Sequence, residues 1–303
     1  MERRTMAKPN SVKISGQEKG QRLESRILEE RVQQAVADGA RRIRIKAFGQ
    51  HGLGGRLWIS KDEPVKVEVT GAPGQRLGSM GFPGTTVECD GPASDDTGWL
   101  NAGAEIVVGG NAGNGTCNAM AQGKVFIAGN IGARAMTMTK KNPRMDAPEL
   151  WVLGDVGDYF AEFMAGGTAV ICGLNPSKPE NVLGYRPCVG MVGGRIFFRG
   201  PHKGISTKDA KFVEITDEDW AWLTEHLKDF LKRIKHTPDF KALSDRNEWS
   251  QIQALTPTDR KGSPRRTMSA FHREVWDAEL GRGGMIGDLT NLDRSPVPLI
   301  TTG

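Results

Sequence analysis

The chain has 303 residues, with 41 Lys and Arg against 36 Asp and Glu, a net charge of +5. That length can bury a sizeable core, and 39 glycines exceed the share of about 7% carried by an average protein. No apolar run approaches the roughly 20 residues of a membrane span, and the first residues lack the apolar stretch of a secretory signal, so the expected location is the cytoplasm.

Residues 1–22 are basic and poor in apolar side chains, and are expected to be a disordered leader. No aromatic residue is interleaved with these charges, so a solvated terminus is favoured over a nucleic-acid contact. Residues 23–60 read as a cap. Ile27, Leu28, Val32 and Val36 recur at helical spacing between Glu24 and Asp38, and Arg42 to Ala47 alternates as a strand.

From Val65 one phrase repeats: a short β-prone run closing on glycine, a second glycine three residues on, then a small-residue elbow. The runs close at Gly71, Gly91, Gly110, Gly129, Gly154, Gly173 and Gly200, in steps of 20, 19, 19, 25, 19 and 27 residues. The second glycine recurs as Gly74, Gly113, Gly132 and Gly157 and is replaced at Ser94 and Pro176. One such strand cannot offset its own ordering entropy and needs a neighbour. The glycine-filled connections argue against helices between strands and hence against a βαβ sheet. The period therefore predicts an all-β solenoid over 61–205, a parallel β-helix of about seven coils, with all eleven of these residues as structural corner glycines. Met80, Leu100, Met120, Met164 and Met191 in the elbows are expected to stack as one internal ladder, and Lys140 to Pro148 and Pro176 to Gly184 to leave the stack as loops.

No residue constellation argues for chemistry in this chain, so no catalytic, cofactor-binding or metal-ligating residue is assigned. GGNAGNG, Gly109 to Gly115, could pass for a dinucleotide turn, but no helix follows it and the same pattern recurs in other repeats. Asp155 and Asp158 read as turn caps. Cys89, Cys117, Cys172 and Cys188 form no CxxC pair, and the five histidines make no ligand spacing.

Residues 206–236 should hold a helix opened by Thr216 and Asp219, with Trp220, Leu223, Leu227, Phe230, Leu231 and Ile234 on one stripe. Residues 237–303 lose regular pattern yet keep Trp249, Phe271 and Trp276 among basic residues, and read as an extended arm docking on a partner through those three aromatics. The competing reading is an arm that folds back on its own chain.

TGAPGQRLG (Thr70 to Gly78), GDVGDYFAEFMAGG (Gly154 to Gly167) and MAGGTAVICG (Met164 to Gly173) resemble the GXGXG domain that closes the large subunit of glutamate synthase. The resemblance runs from about Glu24 to Gly200 and includes a lead-in, Ile27 to Gly55, similar to the free-standing form found in N-methylglutamate synthase complexes. It implies a right-handed β-helix without catalytic residue or redox centre. The implied function is a non-catalytic scaffold subunit of a glutamate-synthase-like oxidoreductase of nitrogen metabolism, a hetero-oligomer with no membrane or nucleic-acid partner. Its partners would be a glutamine amidotransferase-like chain and an FMN-binding synthase chain, which would hold the FMN and iron–sulfur clusters. The alternative is the related β-helix subunit of a formylmethanofuran dehydrogenase-type one-carbon complex. A carbohydrate-active enzyme would need acidic or aromatic residues clustered on one face, and none is visible.

Overall fold

The computed structural model describes residues 11–59 and 62–259. The chain opens with β1 (Ser11–Ser15), a short hairpin of β2 (Gln17–Glu18) and β3 (Gln21–Arg22), helix α1 (Ser25–Ala37) and β4 (Arg42–Phe48). Residues 11–22, expected in the disordered leader, are thus ordered: β1 lies parallel to β4 from Ser11↔Arg42 to Ser15↔Lys46.

The seven glycine-closed runs all become strands: β5 (Val65–Ala72), β6 (Thr85–Cys89), β7 (Ala102–Val108), β8 (Gln122–Ile127), β9 (Glu149–Val152), β10 (Ala165–Ile171) and β11 (Gly193–Arg199). They are followed by β12 (Ala210–Val213), helix α2 (Asp217–Arg233), two short 3-10 helices and β13 (Trp249–Ala254). Eleven strands form one sheet in the order β1-β4-β5-β6-β7-β8-β9-β10-β11-β13-β12. Pairing is parallel from β1 through β11 and antiparallel at β13 and β12.

This sheet overturns the expected all-β solenoid. The fold is mixed α/β with one large, mostly parallel sheet, and no closed or coiled β-helix is present among the described residues. Each repeat supplies a single strand to a single sheet, and its glycine-rich remainder runs as turns, not as further strands. The segments 140–148 and 176–184 are the irregular stretches that lengthen two of these connections.

One core lies between the sheet and the turns. Ile43, Val67, Val87, Ile106, Val125, Leu150, Ala169 and Ile196 on the strands meet Leu77, Met120, Met136, Phe160, Met164 and Met191 from the turns. A second core lies on the other face, under α2. There the register aligns Val107, Phe126, Trp151, Val170 and Phe197 across neighbouring strands. Phe230 sits 5.9 Å from Phe126 and 5.6 Å from Trp151, and Trp222 sits 5.7 Å from Trp151 and 5.8 Å from Phe197, ring centroid to centroid. The α2 stripe read from sequence lies in this core, and Trp222, outside that stripe, packs against it as well. Thr216 accepts the Asp219 N–H at 3.1 Å, three acidic residues fill the first turn, and Lys232 and Arg233 close the last, matching both ends of the helix dipole.

The same row of the sheet shows where α2 stops. Towards β1 it reads Glu88, Glu68, Arg44 and Lys13, so charge replaces apolar side chains where the face is uncovered. Arg42 holds Glu68 with two bonds of 2.6 and 2.9 Å, and Arg44 adds a third at 3.0 Å. The hydrogen bond from Arg42, helped by Arg44 and Lys66 against partial desolvation, pulls the Glu68 carboxyl down to about 2. A depressed carboxylate stabilises the fold fully above its unfolded value near ~4.3, and the contribution disappears as pH falls through about 2. Because the arginines are half exposed, the contribution is under ~1 kcal/mol. Glu68→Gln should therefore be slightly less stable than wild type at neutral pH. The gap should close during acid titration below about pH 4, and a gap that stays constant down to pH ~2 would refute the assignment.

Candidate functional site

The repeated turns are the feature this sequence specifies most heavily, and two kinds of interaction hold them. The first is a ladder of side-chain clamps. Asn111 Oδ1 accepts the Asn130 N–H, and Asn130 Oδ1 accepts the Asp155 N–H, each at 2.8 Å. Three residues on, Asp95 Oδ1 accepts the Asn114 N–H and Asn114 Oδ1 accepts the Ala133 N–H, again at 2.8 Å. Each turn thus caps the backbone of the next, a use of Asn and Asp that suits their short side chains.

These clamps explain four of the eleven corner glycines. A Cβ on Gly129 would lie 2.1 Å from Asn111 Oδ1, and one on Gly154 1.9 Å from Asn130 Oδ1. Gly113 and Gly132 face Asp95 and Asn114 in the same way, while Gly74, Gly110 and Gly157 abut backbone of the preceding repeat. Left-handed geometry, the reason expected from sequence, applies to Gly71, Gly173 and Gly200, with φ of 83°, 57° and 111°. Gly91 needs neither explanation, since no atom lies within 4 Å of its Cβ position.

The second interaction is backbone to backbone and uses left-handed residues that are not glycine. Three positions per turn, two residues apart, have positive φ. The inner column contains Cys117, Met136, Ala161 and Cys188, all fully buried. Their N–H groups donate to the carbonyls of Thr97, Thr116, Ala135 and Phe160 in the preceding turn at 2.8 to 2.9 Å. The outer columns donate forward: Met80 to Trp99, Leu100 to Asn118, Met138 to Glu162 and Phe163 to Val189. Each left-handed L-residue costs about 1–2 kcal/mol, offset here by a bond between turns.

The expected single ladder of elbow residues divides accordingly. Met120, Met164 and Met191 are fully buried, whereas Leu100 is 38% exposed and belongs to the outer column with Ala119, Met138 and Phe163, the last two 54% and 55% exposed. In the turns Leu100 matches Ala119, with φ of 54° and 53°, and the fully buried Asn101 takes the place of Met120.

GGNAGNG lies inside the clamp ladder and leads into β8. Asp155 is 2% exposed and accepts from Ser177 Oγ and from the Lys178 N–H at 2.6 Å. Asp158 accepts the Tyr185 N–H at 2.9 Å, which with Lys178 holds its carboxyl below the usual range. Both carboxylates cap the 176–184 connection, as turn aspartates do. Among the described residues no group of three or more His, Cys, Asp or Glu is placed to hold a metal ion, and no helix is long and apolar enough to cross a membrane.

The four cysteines are free and buried. Burial pushes the thiols of Cys89, Cys117 and Cys172 up, and that of Cys188 up to about 12. Thiolate is the reactive form, so a disulfide-exchange reagent at pH ~8 should modify no thiol of the native chain and all four after denaturation. Prompt labelling of the native chain would contradict this burial.

Trp249, expected at an interface, is instead 6% exposed. Its indole N–H donates to the Leu243 carbonyl at 3.0 Å, and its strand pairs on both sides, so 237–259 folds onto its own sheet. Phe271 and Trp276 lie outside the described residues.

A sheet laid down one strand per glycine phrase, with turns clamped by asparagine and aspartate, defines a glycine-repeat protein whose polar corner groups serve the repeat itself. The chain belongs to the GXGXG motif family, whose model matches residues 45–257. That domain occurs in glutamate-synthase-type enzymes that form complexes. No curated protein matches the chain.

Proposed function

We propose that this chain is a non-catalytic structural subunit of a glutamate-synthase-like complex of nitrogen metabolism. In this reading it positions a glutamine amidotransferase-like chain against a synthase chain that carries FMN and iron–sulfur clusters. Four free thiols fit a reducing cytoplasm. The observation that carries the reading is the use of the corner groups. Asn111, Asn114, Asn130, Asp155 and Asp158, the residues nearest to a catalytic or phosphate-binding pattern, are all engaged in clamping backbone within the repeat. A family tied to glutamate-synthase-type complexes, with its corner polar groups so engaged, fits a positioning role.

The test is purification of the tagged chain both alone and from its native source. Alone it should be colourless and without turnover. From its native source it should bring down a chain with flavin and iron–sulfur absorbance. Flavin or cluster absorbance in the isolated chain would sink the reading.

A further inference from the structure

We infer that Asn114–Gly115 is a latent modification site, at which the chain deamidates itself to isoaspartate when the turn between β7 and β8 opens. It is the one Asn-Gly pair in the sequence. Asn111 and Asn130 clamp the turns in the same way but precede Ala112 and Ile131, whose side chains crowd the backbone nitrogen, whereas Gly115 leaves its nitrogen bare. Asn114 is exposed, so water reaches its amide. The closed turn nevertheless ties the pair down. Asp95 Oδ1 accepts the Asn114 N–H and Asn114 Oδ1 accepts the Ala133 N–H, both at 2.8 Å. The peptide that joins the pair is held on both sides: its carbonyl accepts the Asp96 N–H at 2.7 Å, and the Gly115 N–H donates to the Ala133 carbonyl at 2.9 Å. The atoms that must approach each other are thus bonded to two different neighbouring turns.

In the opened turn the Gly115 nitrogen gives its proton to water and attacks Asn114 Cγ. A nitrogen–Cγ bond forms, the Cγ–Nδ2 bond breaks and ammonia leaves, closing a succinimide ring without any change of oxidation state. Water then opens the ring. Opening at the side-chain carbonyl gives aspartate, and opening at the main-chain carbonyl gives isoaspartate, in which the backbone runs through the former side chain. Aspartate fits the closed turn, because Asp95 and Asp158 stand in the same column and make the same clamp, at 2.8 and 2.9 Å. Isoaspartate places an extra backbone atom before Gly115, so the bonds to Asp96 and Ala133 cannot both be remade. An opening that is otherwise reversible therefore leaves a lasting mark on the chain.

The full chain is incubated in mildly alkaline buffer, both folded and in denaturing urea, and aspartate and isoaspartate at residue 114 are followed by peptide mapping with mass spectrometry. Because the chemistry is slow beside opening and reclosing, its rate tracks the open population. The folded chain should react at least ~10-fold more slowly than the denatured one. Asp95→Ala frees the Asn114 N–H and should raise the folded rate ~10-fold. Urea below the unfolding transition should raise the wild-type rate too, with a shallower dependence than global unfolding, and this check stands where the variant does not fold. Asn114→Asp should melt within a few degrees of wild type, whereas purified isoaspartate chains should not regain the wild-type melting temperature. Equal rates in the folded and denatured chain would show that the turn does not guard the pair. A folded rate that neither Asp95→Ala nor urea moves, or one that follows global unfolding, would remove the link to turn opening. Isoaspartate chains that melt like wild type, or Asn114→Asp chains that melt as low as isoaspartate ones, would overturn the lasting mark.

Discussion

Gly154→Ala should destabilise the protein by ~4 kcal/mol, near the upper end for a single substitution, whereas Gly91→Ala should be neutral or slightly stabilising. Both residues close a β-run in the same phrase, so sequence alone treats them alike. In the structure a Cβ on Gly154 would lie 1.9 Å from Asn130 Oδ1, 2.8 Å from its Cγ and 3.1 Å from the Gly129 carbonyl. Asn130 cannot swing away without releasing the Asp155 N–H that it holds at 2.8 Å. Leaving that group unpaired costs about 1–3 kcal/mol, and moving the chain instead disturbs β9, whose Trp151 and Val152 are buried. Around Gly91 there is open space and no left-handed requirement, so alanine only restricts the unfolded chain. Chemical denaturation of the two variants is the measurement. The double variant Gly154→Ala with Asn130→Ala should be less damaged than the sum of its parts, because the second change removes the collision. Equal losses at Gly91 and Gly154 would refute the account of the corners.

A chain ending at His236 should be grossly destabilised or aggregate when compared with one ending at Asp259. The difference is the segment that carries β13, which forms the centre of the antiparallel margin. It pairs with β11 from Arg195↔Gln253 to Arg199↔Trp249 and with β12 from Ala210↔Ala254 to Val213↔Gln251. Removing it leaves β12 without its sheet neighbour and opens the edge of β11 beside the fully buried Phe197 and Phe198. It also removes Leu243, Trp249 and Ile252 from the two cores. Loss of three such side chains exceeds the ~2–5 kcal/mol that one large-to-small change usually costs. Thermal melting and light scattering of the two chains decide the matter. Melting temperatures within a few degrees of each other would mean that the margin is dispensable. As a finer probe, Ile252→Ala should cost ~2–4 kcal/mol without changing solubility.

The strands of the repeat were legible because Val, Ile, Leu and Phe stop at a glycine at near-constant spacing, and α2 because its cap and stripe are local signals. Three features were not legible. The architecture was misread because a period of 19 reports only that units repeat, and not whether each contributes one strand or several. The left-handed positions were hidden because Met136, Met138, Tyr159 and Phe163 are residues that seldom adopt positive φ. Bonds between turns, which no single sequence displays, hold them there. Trp249 was misplaced because SQIQA, the rest of its short strand, is mostly polar, and its burial comes from α2 and from β11, about 50 residues upstream. For the candidate site, the glycines were visible, whereas the cause for four of them lies in asparagine and aspartate side chains about 20 residues earlier in the chain.

The order of the sheet carries a consequence for its synthesis. From β5 to β11 every strand pairs with the strand made just before it, so each addition needs only one new turn of chain and never a distant partner. Parallel sheets are ordinarily slow to form because the chain must close long loops first, and here that delay is divided into short steps. The sheet can therefore grow behind the ribosome at the pace of translation, each new strand covering the exposed edge left by the last. The exception is β13, which must enter beside β11 after β12 has been made, so completion of this margin waits until residue 254 has emerged.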